Sequence, residues 1–165
     1  MTKAYSAPGK ALLAGGYLVL DPQYLSYVTA LSSRMHVVIE EASASSTSTI
    51  EVVSSQFLGH WEYTYQEGVI SESQNRKNPF IEAALSTVLK YICPQNQFNL
   101  KIRVFSDPGY HTKANTTVKA SANHKREFLY HANTIENVAK TGLGSSAGLV
   151  SALTGALMAY FKPQK

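Results

Sequence analysis

The chain has 165 residues, of which 44% are hydrophobic and 16% charged, a balance that predicts one soluble globular domain. No apolar run approaches the ~20 residues of a membrane-spanning helix, and residues 1–6 lack the features of a secretory signal. The single cysteine, Cys93, excludes an internal disulfide, and we therefore expect a cytoplasmic protein.

The basic residues are unevenly distributed along the chain. The formal net charge is +4, and residues 101–140 contain seven Lys or Arg against three acids, whereas the rest has eight of each. This basic segment also contains His111, His124 and His131, and it favours a strongly anionic ligand. Nucleic acid is a rival interpretation, but the sequence has no helix-turn-helix, zinc ligand set or aromatic RNA-binding signature. A solvated basic loop is the other alternative.

Alternating apolar residues predict most of the strands. Residues 4–20 form two apolar runs around Pro8-Gly9 and predict two strands or one bent strand, with a turn at Gly15-Gly16. The polar, low-complexity residues 42–49 predict a surface loop. Further strands are predicted at 24–31, 35–40, 50–53, 60–65 and 98–105. Those at 50–53 and 60–65 are predicted to form a hairpin.

Two helices complete the predicted elements. Asn78-Pro79 combines a capping residue with proline at the first helical position, and Pro94 ends the helix. Cys93 is expected to be a small buried hydrophobe at its end. The second helix covers 145–161 and ends at Lys162-Pro163. Residues 106–133 show no sustained periodicity and predict a long polar loop, although 127–135 could hold a short helix or strand. The elements together predict an α+β fold.

The stretch K-T-G-L-G-S-S-A-G-L at residues 140–149 is the candidate functional motif. Gly142 and Gly144 can adopt backbone angles closed to other residues, so that several N–H groups can point toward one spot. A helix that begins near Ser145 adds its unpaired first-turn donors and the positive end of its dipole. This combination is typical of an anion site, most often for phosphate. The alternative is a glycine-rich loop that only starts a buried helix.

Two other motifs share these letters. Gly142, Gly144 and Ala147 match the G-x-G-x-x-A of a dinucleotide fold, but no acidic residue follows to bind ribose. Ser146 also stands in a G-x-S-x-G nucleophile elbow. That elbow requires an acid and a histidine later in the chain than the serine. Here the last carboxylate side chain, Glu136, and the last histidine, His131, both precede Ser146. The phosphate site requires only backbone donors and a hydroxyl.

Lys10 is the second candidate because it interrupts an apolar stretch. A lysine there is either directed to solvent or held for a function, and lysines most often extend outward. P-G-K at residues 8–10 lacks the spacing of a Walker P-loop.

Taken together, two motifs resemble those of the GHMP small-molecule kinases: S-A-P-G-K-A-L-L-A-G-G-Y at residues 6–17 and the motif at 140–149. Within that superfamily the chain most resembles the N-terminal part of the fungal-type phosphomevalonate kinases. Stretches that carry this resemblance include K-N-P-F-I-E at 77–82 and F-S-D-P-G-Y-H at 105–111. The resemblance runs along the whole chain.

The resemblance implies a fold, an activity and residue roles. The fold is an α+β domain like domain 2 of ribosomal protein S5, covering residues 1–165. The activity is transfer of the ATP γ-phosphoryl group to 5-phosphomevalonate, which yields the diphosphate of the isoprenoid and sterol pathway. Lys10 would lie at the active centre, Ser146 would hold Mg²⁺ through its hydroxyl, and Tyr17 would contact substrate. The ATP phosphates would be bound by Gly142, Leu143, Gly144, Ser145, Ser146 and Ala147.

The chain departs from the family pattern at two points. Gly16 stands where many relatives have Glu. The family's catalytic aspartate lies downstream of the second motif, and its third motif lies in a C-terminal domain, yet no carboxylate side chain follows Glu136. We therefore expect the N-terminal portion of a longer kinase, inactive alone, whose partner is its own C-terminal domain. The alternatives are another GHMP kinase, such as mevalonate kinase, and a non-catalytic anion-binding or interaction module.

Overall fold

The computed structural model describes residues 3–43 and 46–162. Within them, a mixed six-stranded sheet has the order β1-β2-β6-β3-β4-β5, and β7 and β8 form a separate hairpin. The predicted α+β fold is confirmed. The elements are β1 (Lys3–Ala14), β2 (Tyr27–Glu41), β3 (Ser48–Ser54), β4 (Gly59–Gln66), β5 (Val69–Glu72), α1 (Pro79–Ile92), β6 (Asn99–Ser106), β7 (Thr116–Ala120), β8 (Glu127–His131) and α2 (Ser145–Phe161).

The centre of the sheet forms where apolar residues of three strands meet. Ile102 of β6 pairs with Ile39 of antiparallel β2 on one side and with Val52 of parallel β3 on the other. All three side chains are buried, while Lys101 and Arg103 point to the opposite face. This alternation follows the period of two of an extended chain. The predicted hairpin of β3 and β4 is confirmed.

Helix α1 begins as its sequence predicts. The Asn78 side chain accepts a hydrogen bond from the Ile81 N–H at 3.2 Å, and the Glu82 carboxylate accepts one from the Asn78 N–H at 3.0 Å. These reciprocal bonds resemble a capping box, with Glu82 one position later than usual, and they satisfy two donors at the start of the helix. The prediction that Cys93 is buried is wrong, because this residue caps the helix in a left-handed conformation and its side chain is exposed.

Helix α2 lies against α1 and against strands β1 and β2. Its buried face contains Ala152, Leu153, Ala156 and Leu157, which close the core between the helices and the sheet. The helix ends at Phe161, just before the predicted end at Lys162-Pro163, of which Pro163 lies outside the described residues. No helix in the described ranges is both long and apolar enough to span a membrane.

Several local predictions were correct only in part. Of the two alternatives for residues 4–20, one bent strand is confirmed, because β1 has a register irregularity between Pro8 and Lys10, and residues 17–20 form turns. The runs at 24–31 and 35–40, predicted as separate strands, join into the single strand β2. The segment 106–133 is not a loop throughout, because it contains the unpredicted strand β7 and also β8, which confirms the strand alternative for 127–135. Every residue of β7 is exposed or half-buried, so no alternation of apolar and polar residues marks this strand in the sequence.

Candidate functional site

The glycine motif connects directly to the start of α2. Gly142 and Gly144 have φ angles of 81° and 75°, in the left-handed region that favours glycine. Gly144 caps the helix, and the Gly148 N–H makes the first helical bond to its carbonyl at 3.0 Å. No side chain in the described part of the chain caps this end. The first-turn N–H groups therefore remain available to an external acceptor.

Strand β1 passes alongside this loop and brings Lys10 to it. The Lys10 N–H donates to the Leu143 carbonyl at 3.1 Å. The lysine side chain runs over Gly144, where a Cβ atom would lie 3.1 Å from Lys10 Cγ and 3.3 Å from Lys10 Cε. At Gly9 the approach is closer still, since a Cβ atom there would lie 2.7 Å from the Leu143 carbonyl oxygen. The two sequence motifs are thus in contact in the folded chain.

A short segment after β6 supports the loop from the other side. The Thr141 N–H donates to the Tyr110 carbonyl at 3.0 Å, and the Thr141 hydroxyl donates to the Gly109 carbonyl at 2.6 Å. The Tyr110 hydroxyl in turn donates to the Ser33 carbonyl of β2 at 2.8 Å. Tyr110 is almost completely buried; its ring lies beside Gly9 of β1 and bonds to β2, and its backbone carbonyl bonds to the loop.

Asp107 fixes the start of this supporting segment. Its carboxylate is only 9% exposed and accepts hydrogen bonds from the Arg34 N–H at 3.0 Å and from His36 Nε2 at 2.8 Å. The Arg126 guanidinium adds an ion pair at 2.9 Å. A buried carboxylate requires such partners, because unpaired burial of its charge would be costly. The β7–β8 hairpin is thereby connected to the central sheet.

A cavity of about 310 Å³ opens beside the start of α2. One part of its wall is apolar and includes three aromatic rings, and the other is polar and includes both serines of the loop. The apolar part contains Met35, Phe57, Trp61, Pro79, Phe80, Ile81, Val104, Ile135 and Leu149. The polar part contains Ser54, Lys77, Asn78, His111, Glu136, Lys140, Ser145 and Ser146.

Two titratable groups of this wall have shifted pKa values. Burial, with smaller contributions from the charges of His131 and Lys140, lowers the pKa of His111 from 6.5 to about 4. Its Nε2 atom has no hydrogen-bond partner among the described residues. The pKa of Glu136 is lowered chiefly by a hydrogen bond from the Thr134 hydroxyl, then by its backbone N–H and by the charges of Arg76 and Lys140. At neutral pH the cavity therefore contains a neutral imidazole and an ionised carboxylate.

The basic segment 101–140 is divided among several environments. Lys140 lines the cavity. Lys101 and Arg103 lie on the outer face of β6, where they form ion pairs with Glu51 and Glu40, and Arg126 pairs with Asp107. These pairs neutralise part of the charge excess seen in the sequence.

The structure brings most of the predicted site residues together. Ser145 and Ser146 line the cavity. Gly142, Leu143 and Gly144 form the loop, and Ala147 is exposed in the first turn of α2. Tyr17, by contrast, is fully exposed in the β1–β2 connection and is absent from the cavity wall. Sequence reasoning assigned no site role to Trp61, His111 or Glu136. His111 was noted only as a member of the basic segment, and Asn78-Pro79 was interpreted as a helix start and not as a cavity wall.

Comparison with known proteins identifies relatives along the whole chain. No protein-family model matches. Phosphomevalonate kinase of Candida albicans is 53% identical over 167 residues, which cover 99% of this chain and 39% of that protein. Phosphomevalonate kinase of Gibberella zeae is 34% identical over 184 residues, which cover 99% of this chain and 41% of that protein. The chain thus spans about two fifths of the length of these relatives.

Among solved structures, the mevalonate kinase of Methanococcus jannaschii superposes with a TM-score of 0.60. The match covers 100% of this chain and 41% of that one, with 15% identical residues. A likeness at this identity supports the fold alone. The fold is the one that the sequence motifs predict.

Proposed function

Since the chain is homologous to the fungal phosphomevalonate kinases over 99% of its length, we propose that it is the ATP-binding part of a kinase with that activity. The reaction is transfer of the γ-phosphoryl group of ATP to the phosphate of 5-phosphomevalonate. The observation that carries this proposal is the contact between Lys10 and the glycine loop, made through the Leu143 carbonyl and over Gly144. The activity requires the full-length protein, of which we propose that this chain is one domain.

ATP is the nucleotide that the site would hold. The first-turn N–H groups of α2 and the glycine loop would bind the triphosphate, because the helix dipole and several converging donors stabilise an anion. The adjoining cavity, with aromatic walls at Phe57, Trp61 and Phe80, would take the nucleoside. Because Ser145 and Ser146 at the start of α2 also line this cavity, one extended ligand can contact both the cavity and the glycine loop.

The loop also fits a magnesium ion. Among the described residues, no group of three His, Cys, Asp or Glu side chains could form a metal cage. Mg²⁺ does not require such a group, because it is often bound by one or two protein oxygens together with substrate phosphates and water. The Ser146 hydroxyl, in the first turn of α2, is the protein ligand that we assign. When bound, the ion neutralises charge on the transferring phosphoryl group.

Lys10 would act between the two anionic reactants. Phosphoryl transfer depends on positioning and on offsetting charge rather than on covalent chemistry by the protein. The backbone bond to Leu143 fixes the lysine relative to the loop, and its side chain is exposed at the surface of β1. An ammonium group there would draw the acceptor phosphate toward the γ-phosphate and reduce the repulsion between them.

We further propose that the rest of the full-length protein covers the β1–β2 hairpin surface. This surface is formed by the exposed residues Leu13, Tyr17, Leu20, Leu25 and Tyr27. Exposed apolar patches of this kind mark interaction sites. Tyr17 would then contact substrate only after this second domain has closed over it.

The decisive experiment replaces Lys10 by Met in the full-length protein and measures turnover with Mg-ATP and 5-phosphomevalonate. We expect turnover to fall by roughly 10²–10³-fold, as for other groups that stabilise charge in a transition state. Lys90→Met, at the exposed end of α1, is the matched control and should retain normal turnover. Near-normal turnover in the Lys10 variant would refute its role.

The same assay separates the alternatives. A clear preference for unphosphorylated mevalonate would retain the kinase assignment and replace the acceptor. Failure of the full-length protein to bind Mg-ATP or turn over either acceptor would instead support a non-catalytic interaction module.

A further inference from the structure

Glu136 supplies the one carboxylate among the described residues that line the cavity. It lies in a 3₁₀ turn, Ile135–Asn137, between strand β8 and the glycine loop. Its neighbour Ile135 belongs to the apolar wall, and Lys140, four residues later, belongs to the polar wall next to the loop. Along the chain, Glu136 therefore lies between a residue of the apolar wall and a residue of the polar wall that begins the glycine motif.

Glu136 is exposed, and its surroundings keep the carboxylate ionised at neutral pH. The Thr134 hydroxyl and a backbone N–H donate to the carboxylate, and the cations Arg76 and Lys140 are close enough to lower its pKa. The Arg76 guanidinium is itself held over the Trp61 ring, 5.9 Å from its centroid. A carboxylate has about four lone-pair sites, so it can accept further hydrogen bonds beyond those that hold it.

An ionised carboxylate beside a phosphate site narrows the choice of ligand group. It repels phosphate oxygens, and it only accepts hydrogen bonds, so its partner must be a neutral or cationic donor. Between the triphosphate and the base of a nucleotide lies the ribose, whose 2′- and 3′-hydroxyls are donors. Paired hydroxyls suit the two oxygens of one carboxylate.

We infer that Glu136 is a specificity-determining residue that accepts hydrogen bonds from the ribose hydroxyls of the bound nucleotide and so selects ribonucleotides. This inference rests on the proposed function, because it requires a nucleotide in the cavity.

The test compares nucleotide affinities in the full-length protein by isothermal titration calorimetry at a fixed Mg²⁺ concentration. The ligands are ATP, 2′-deoxy-ATP, 3′-deoxy-ATP and inorganic tripolyphosphate, and the variants are Glu136→Ala and Glu136→Gln. A hydrogen bond to a charged group corresponds to roughly 10- to 100-fold in affinity. The wild type should therefore prefer ATP over at least one deoxy analogue by about that factor.

In Glu136→Ala, ATP should bind as weakly as that deoxy analogue, and the preference should disappear. Glu136→Gln should retain part of it, because the amide carbonyl still accepts a hydrogen bond. Tripolyphosphate should bind the Ala variant at least as tightly as the wild type, since a nearby negative charge has been removed. Glu62→Ala, on the exposed face of β4, is the matched control and should leave all four affinities unchanged.

Two kinds of result, one in the wild type and one in the Ala variant, would overturn the inference while leaving the proposed function intact. One is wild-type protein that binds ATP and both deoxy analogues equally. The other is an Ala variant that keeps the wild-type preference, or that loses affinity equally for ATP and both analogues, which would assign Glu136 to the base. Wild-type protein that binds no ATP would instead remove the proposed function itself.

Discussion

Replacing Gly9 by Ala should disturb the point where β1 meets the loop. A Cβ atom on Gly9 would lie 2.6 Å from the Tyr110 hydroxyl, 2.7 Å from the Leu143 carbonyl oxygen and 2.8 Å from Tyr110 Cε1. None of these atoms can easily move away, since one is backbone and the other two belong to a buried ring hydrogen-bonded to Ser33. Overpacking of this kind costs about 1–3 kcal/mol.

The expected loss can be measured as a shift in thermal unfolding. For a domain of this size, 1 kcal/mol corresponds to roughly 2–4 °C, so the unfolding transition should fall by about 2–12 °C. ATP affinity should also fall, because displacement of β1 would lengthen the bond from the Lys10 N–H to Leu143. Both quantities are measured on the full-length protein, by scanning calorimetry with and without Mg-ATP.

Gly155→Ala is the matched control for this substitution. Gly155 is an exposed residue of α2, and no heavy atom of the described residues would lie within 4 Å of an added Cβ. Alanine should stabilise the helix there by roughly 0.5–1 kcal/mol. If the Gly9 variant unfolded at the wild-type temperature, or if both variants shifted equally, the close-packing argument would be refuted.

Two further predictions concern His111 and Asn78. The pKa of His111 falls from 6.5 to about 4 on folding, so the unfolded chain binds more protons between these pH values and stability declines as pH falls through them. His111→Asn should make urea midpoints less dependent on pH between 7 and 4, and an unchanged pH profile would contradict the assignment. Asn78→Ala should lower the free energy of unfolding by about 0.5–2 kcal/mol, whereas Asn78→Asp should retain the cap. Equal losses in both would argue against capping by the side-chain oxygen.

Local sequence signals predicted the elements whose causes are local. The helix cap at Asn78 operates within four residues, and the alternation in β6 reports burial of one face, so both are visible without knowledge of the fold. The glycine loop is also local, because its positive φ angles and the start of α2 depend on residues within one turn. These features were predicted correctly.

Contacts distant in sequence decided the rest. The hairpin β7–β8 is held to the sheet by Asp107 and Arg126, and its exposed residues leave no periodic signal. The cavity is assembled from residues that extend along the chain from Met35 of β2 to Leu149 of α2 and that include the 3₁₀ turn at Glu136. Sequence spacing indicated which residues could bind phosphate. Only the pairing of strands and the packing of helices determined which side chains would surround the rest of the ligand, because those neighbours are set by the tertiary fold.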